Sequence, residues 1–252
     1  MAALTVQAID RDLRLAEKVF LSLLPRRVTL DGIDIVTRVW PSNHVGGDYA
    51  TVFPSREGQL YVCVSDVTSH GIASSLLVTR VDSFVRERVP LARHPCEIVE
   101  ELNKFLCEHF GDLGMFLSFF CANIDLQKMQ LSYAGCGHPP ALLLKSNGQT
   151  KWLESQHPLI GMFPELSEAC FIDREPLEAG DRVVLYTDGI TEARNAAGDF
   201  FGEERLAEVA AAGVAQDMRG CALSERIYSE VRTFTGSDSQ VDDVLLMVVS
   251  VL

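Results

Sequence analysis

At 252 residues and 47% hydrophobic content, the chain can bury a full core, and no Pro/Ser-rich linker, low-complexity run or internal repeat divides it. A formal net charge of -13 repels polyanions, so neither nucleic acid nor an anionic membrane surface is an expected partner. Asp10, Arg11 and Asp12 interrupt any early apolar run, and no uncharged stretch approaches the ~20 residues that span a bilayer.

Residues 5–24 are predicted helical. Val6, Ile9, Leu13, Ala16, Phe20 and Leu23 recur at steps of 3 and 4, an a/d heptad seam that Pro25 ends. Such a helix can lie on its own domain or pair as a coiled-coil stub. We read residues 1–25 as a linker helix and 26–252 as one domain. Strand patterns at 33–40, 49–53 and 60–65 read as a meander, followed by helices at 72–89 and 95–110. Further strands are predicted at 116–124, 129–134, 141–145, 151–153 and 181–186, helices at 203–212 and 220–234, and a last strand at 244–252. Strands arriving in blocks point to an α+β fold: two packed, mostly antiparallel sheets flanked by helices.

Acidic residues recur where these strands meet loops. Asp48 follows Gly46-Gly47, Asp66 ends a run from Tyr61, Asp188 follows Val183 to Thr187, and Asp242-Asp243 precede Val244 to Met247. One Asp-Gly step is an ordinary turn, and Asp66 alone could cap the helix near Gly71. Several buried carboxylates converging on one rim repel, and hard divalent cations such as Mg or Mn remove that cost.

The ordered strings Val45-Gly46-Gly47-Asp48-Tyr49, Ser65-Asp66-Val67-Thr68-Ser69-His70-Gly71 and Gly135-Cys136-Gly137-His138-Pro139-Pro140 resemble the SpoIIE/RsbU branch of the PPM phosphatase superfamily. Gly180 to Ala193, Phe201-Gly202 and Asp242-Asp243 continue the resemblance, which covers nearly everything from Leu24 onward. It implies an α-β-β-α sandwich and a metal-dependent protein serine/threonine phosphatase with two divalent cations, Mn or Mg. Carried over by position, Asp66 bridges both cations, Asp188 and Asp242 complete one site, and Asp48 with the Val67 carbonyl completes the other. Asp243, Gly47 and Gly189 stand behind these ligands. Three positions depart from the family pattern: Thr51 where an acid is common, Ser69 where a smaller residue is common, and Leu245 where Thr or Ser is common.

A pair of cations activates water, so no protein nucleophile is required, and the thiol-phosphatase and D-x-D-x-[TV] strings are both missing. So are the P-loop and H-E-x-x-H strings. His70 is the candidate proton donor to the leaving alkoxide, with loop orientation as its other reading. His138 reads as a turn-stabilising residue, and Arg38 as a solvated arginine. Seven cysteines without a C-x-x-C pair suit a reducing cytoplasm better than a disulfide frame or a zinc site, Cys63 and Cys121 being small buried apolar groups.

By family analogy the substrate is a phosphorylated STAS-type anti-sigma-factor antagonist, and the chain is the output domain of a larger bacterial signalling protein, joined to a receiver or other sensor. Homodimerisation through the N-terminal helix is a further expectation. The competing reading is a phosphatase-like adaptor that holds a partner without catalysis.

Overall fold

Among the described residues, eleven strands form two antiparallel sheets, and six α-helices are arranged around them. The computed structural model describes residues 2–30, 32–55, 58–68, 71–166, 170, 172–236 and 242–252, the side chains of residues 2–8 excepted. The six-stranded sheet runs β1 (Arg27–Leu30), β2 (Ile33–Trp40), β11 (Val244–Val251), β10 (Arg182–Tyr186), β7 (Ala141–Leu144) and β8 (Thr150–Leu153). The five-stranded sheet runs β3 (Tyr49–Pro54), β4 (Gln59–Val67), β5 (Leu117–Asp125), β6 (Gln130–Cys136) and β9 (Asp173–Pro176).

Alternation along each strand divides the core. In β10, Val183 and Leu185 face the other sheet, whereas Val184 and Tyr186 pack with the layer of α5 (Gly202–Val214) and α6 (Gly220–Thr235). The central strand β11 is buried along its whole length because both of its faces are covered. Against the five-stranded sheet lie α2 (Ile72–Arg88) and α3 (Pro95–Phe110), the latter beginning with proline where its missing N–H costs nothing.

The expected meander does not form. β2 pairs with β1 and β11, whereas β3 and β4 form a hairpin in the other sheet, so the chain changes sheets between Trp40 and Tyr49. Hydrophobic period alone does not encode which sheet a strand joins. β1 and β9 escape the sequence reading because they are short edge strands without a clear apolar face. The four-residue helix α4 (Asp188–Thr191) occupies what reads as a turn.

The cysteine reading needs one correction. Cys96, at the start of α3, is disulfide-bonded to Cys170, a pairing across 74 residues that no local spacing announces. Cys63 and Cys121 are buried as expected. No helix among the described residues is long and apolar enough to cross a membrane.

The first helix is α1 (Ala2–Leu23), and near its C-terminal end it packs on the body. Phe20 and the following Leu24 enter the core, whereas Ile9 is 54% exposed and Ala16 is also exposed. Val6 lies outside the described side chains. In the C-terminal third of α1, Glu17 lies 2.9 Å from a ring nitrogen of His44, in the loop that crosses between the sheets.

Candidate metal centre

The acids singled out by the sequence come together at one end of the two sheets. Asp48 immediately precedes β3, Asp66 lies near the end of β4, Asp188 opens α4 just after β10, and Asp242 and Asp243 lead into β11. The hairpin and sheet registers bring these positions to the same rim. Pairing of Tyr49 with Ser65 sets Asp48 beside Asp66, and pairing of Tyr186 with Leu246 sets Asp188 beside the Asp242-Asp243 step.

Asp48 is buried, and its Oδ2 accepts the Thr187 hydroxyl at 2.7 Å. Thr187 Oγ1 in turn accepts the Leu245 N–H at 3.0 Å. Asp243 is also buried, and its Oδ1 accepts both the N–H and the hydroxyl of Ser42, at 2.8 and 2.9 Å. Two glycines permit this packing. A Cβ on Gly46 would collide with the Asp243 carboxylate, and one on Gly189 with the Asp243 main-chain carbonyl. Gly47 ties the crossing loop to β4 by accepting the Val67 N–H at 3.3 Å.

Asp242 is exposed and accepts the Asp243 N–H at 2.8 Å, yet its charge acts on both Asp66 and Asp188. Asp243 acts on Asp48 and Asp66 from its fixed seat against Ser42. The adjacent acids therefore differ: Asp242 is exposed at the rim, and Asp243 is buried against Ser42.

Electrostatics set the chemistry of the cluster. Burial, reinforced by the charge of Asp66, holds the Asp48 carboxyl well above the usual range, against the favourable Thr187 hydrogen bond. Burial and then Asp188 and Asp242 push Asp66 up to about 7. Asp188 is raised by burial, then by Asp242 and Glu192. No recorded ion pair among the described residues brings a Lys or Arg to any of these acids. Arg38 is turned away, toward Glu225 of α6 at 3.2 Å.

No group of three His, Cys, Asp or Glu side chains among the described residues forms a preassembled ligand cage. The donor set nevertheless fits a hard divalent cation: it is all oxygen, crowded with negative charge, and has no Lys or Arg paired to it among the described residues. His70, the candidate proton donor, lies outside the described residues. Sequence reasoning missed the roles of Ser42 and Thr187. Thr187 stands in the quoted Tyr-Thr-Asp-Gly string, but its partner, Asp48, is identified only by strand pairing.

The family described as Stage II sporulation protein E (SpoIIE) matches residues 56–252. The chain is 28% identical over 190 residues to phosphoserine phosphatase RsbU of Bacillus subtilis, covering 75% of this chain and 56% of that protein. It spans about half the length, or less, of the curated relatives it matches. Its fold superposes on the SiaA-PP2C domain of Pseudomonas aeruginosa with a TM-score of 0.80 at 20% identity, covering 98% of both chains. A structure of RsbX in complex with magnesium shares the fold, with a TM-score of 0.65 at 14% identity over 90% of this chain and 98% of that one.

Proposed function

Because the chain belongs to the SpoIIE family of PPM-type phosphatases, we propose that it removes phosphate from phosphoserine or phosphothreonine on a protein partner, using two divalent cations, Mn or Mg. The observation that carries this reading is the cluster of acids at one rim, Asp48 and Asp243 buried and Asp66 and Asp188 half-buried, with no Lys or Arg paired to them among the described residues. Asp66 is the shared ligand in this proposal. Asp188 and Asp242 complete one site, Asp48 and the Val67 carbonyl complete the other, and Asp243, Gly47 and Gly189 support them. Asp242 is assigned as the ligand because it is not held by Ser42 and its charge reaches both Asp66 and Asp188.

Bound cations supply Lewis-acid activation of water and offset the phosphoryl charge. The chain's own residues hold and orient. Thr187 fixes one Asp48 oxygen, Ser42 fixes one Asp243 oxygen, and the glycines admit the backbone close to the rim. Cys63, Cys121 and Cys136 are buried in the core, in keeping with a reaction without a thiol nucleophile. His70 is proposed to protonate the leaving alkoxide.

The partner is proposed to be a phosphorylated STAS-type antagonist in the cytoplasm. An upstream sensor or receiver is proposed to act through α1, whose partly exposed heptad seam can pair with a second copy. Manganese-dependent hydrolysis of p-nitrophenyl phosphate, and of phosphorylated STAS proteins followed by mass spectrometry, tests the function. Metal-dependent phosphate release is expected. Tight binding of a phosphoprotein with neither metal uptake nor hydrolysis would establish the adaptor reading instead.

A further inference from the structure

The chain crosses between the sheets a second time on the short loop 137–140, from β6 to β7. Its two ends lie beside the strands that carry the proposed metal ligands. Cys136 pairs with Phe119, so Gly137 comes level with Ser118, which itself pairs with Asp66. Leu142 pairs with Val184, so the far end of the loop runs toward Tyr186, two residues before Asp188. Between these ends stands His138, fully enclosed at 4% exposure.

The ring is not needed to hold its own turn. Ser155 does that: it accepts the His138 N–H at 3.0 Å and donates its hydroxyl to the His138 carbonyl at 2.7 Å. The His138 side chain instead reaches the other way, with Nδ1 2.8 Å from Ser118 Oγ. The same Ser118 Oγ accepts the Asp66 N–H at 3.2 Å. The main-chain carbonyl of Tyr186 lies close enough to favour a proton on the ring, although Nε2 makes no hydrogen bond of standard geometry.

Burial pushes the imidazole down to about 3, so the ring is neutral. We assign its hydrogen to Nε2, on two grounds. Nδ1 then accepts the Ser118 hydroxyl hydrogen, leaving a Ser118 lone pair for the Asp66 amide, and the remaining N–H is available to the Tyr186 carbonyl. Hydrogen bonds thus run from the backbone of Asp66 through Ser118 to the His138 ring, and the loop that carries the ring leads into β7, which pairs with the strand just before Asp188.

We propose that Ser118 and His138 are positioning residues whose linkage fixes the spacing between the Asp66 and Asp188 strands, and with it the affinity of the rim for divalent cations. This deepens, and rests on, the metal-centre reading above. Neither residue touches substrate or metal in this scheme; both act through the Asp66 backbone.

The test uses the whole chain and its Ser118→Ala, His138→Ala, His138→Asn and double Ser118→Ala/His138→Ala variants. Two quantities are measured well below the unfolding temperature: manganese affinity by calorimetry, and hydrogen exchange of the Asp66 amide after chelation. Ser118→Ala and His138→Ala should each weaken manganese binding roughly tenfold, the scale of one internal hydrogen bond, and speed Asp66 exchange. The double variant should be no worse than the weaker single, because both break one line. His138→Asn should recover most of the affinity, since its Oδ1 can accept the Ser118 hydroxyl.

A ring that merely filled space would lower the unfolding temperature of His138→Ala while leaving Ser118→Ala, which loses one oxygen, with parental affinity and exchange. That result overturns the proposal. If His138→Ala fails to fold, Ser118→Ala and His138→Asn carry the comparison. If the parent binds no manganese, the functional reading fails separately. Exchange at Asp66 then decides the linkage: faster exchange in Ser118→Ala upholds it, and unchanged exchange refutes it.

Discussion

Thr187 donates its hydroxyl to Asp48 at 2.7 Å, joining the end of the six-stranded sheet to the start of the five-stranded one. Both residues are buried, and Thr187 also receives the Leu245 N–H. Thr187→Val keeps the shape and removes both hydrogen bonds. It should weaken manganese binding by about tenfold and cost about 1–3 kcal/mol of stability, read by calorimetry and urea unfolding.

Asp66→Asn and Asp188→Asn should each abolish manganese-dependent hydrolysis while leaving the fold intact. The pH dependence of the chelated protein gives a second readout. The Asp66 carboxyl is raised to about 7 in the folded state, above its ordinary value near 3.9. Its contribution to stability is therefore complete below about pH 3.9 and is lost as pH rises through about 7. Thermal unfolding of the chelated parent should show this loss, manganese should reverse it, and Asp66→Asn should remove it.

His138 works in the opposite direction. Its folded value of about 3 lies below the ordinary one near 6.5, so the stability it contributes is present above about pH 6.5 and is lost as pH falls toward 3. Acid unfolding should take up one extra proton in this window, worth at most about 1.4 kcal/mol per pH unit. A His138→Asn protein should show a correspondingly shallower slope.

Gly46→Ala drives a methyl group into the Asp243 carboxylate, which Ser42 holds from the other side. The loop must shift, and a cost of about 1–3 kcal/mol is expected from overpacking. Circular dichroism melting should show a lower midpoint, and manganese affinity should fall with it. Unchanged values for both would mean that Asp243 is free to move aside.

In α1, Ile9→Glu combined with Leu13→Glu should abolish self-association, measured by sedimentation velocity, and leave manganese affinity unchanged. Phe20→Glu should instead unfold the domain, because that seam position is buried in the core. A parent that stays monomeric at every accessible concentration would remove the proposed pairing.

The core strands and longer helices were legible because each carries a period: Val183 to Tyr186 alternates between two apolar layers, and α3 opens on proline. The acids were legible because each follows or precedes such a strand. Partnerships set by tertiary pairing were not. Nothing near Thr187 in the sequence points to Asp48, nothing near Ser118 points to His138, and Cys96 and Cys170 are far apart in the chain. β9 was hidden for a different reason: as an edge strand with the sequence Asp173-Arg174-Glu175-Pro176, it lacks the apolar face that announces its neighbours.

β11 lies between β2 and β10, and the rim acids Asp242 and Asp243 stand at its threshold. During synthesis, a chain emerging from the ribosome can assemble much of the five-stranded sheet, yet β2 and β10 must wait for the strand that separates them. The rim of acids is therefore completed only after β11 has emerged and taken its place between β2 and β10.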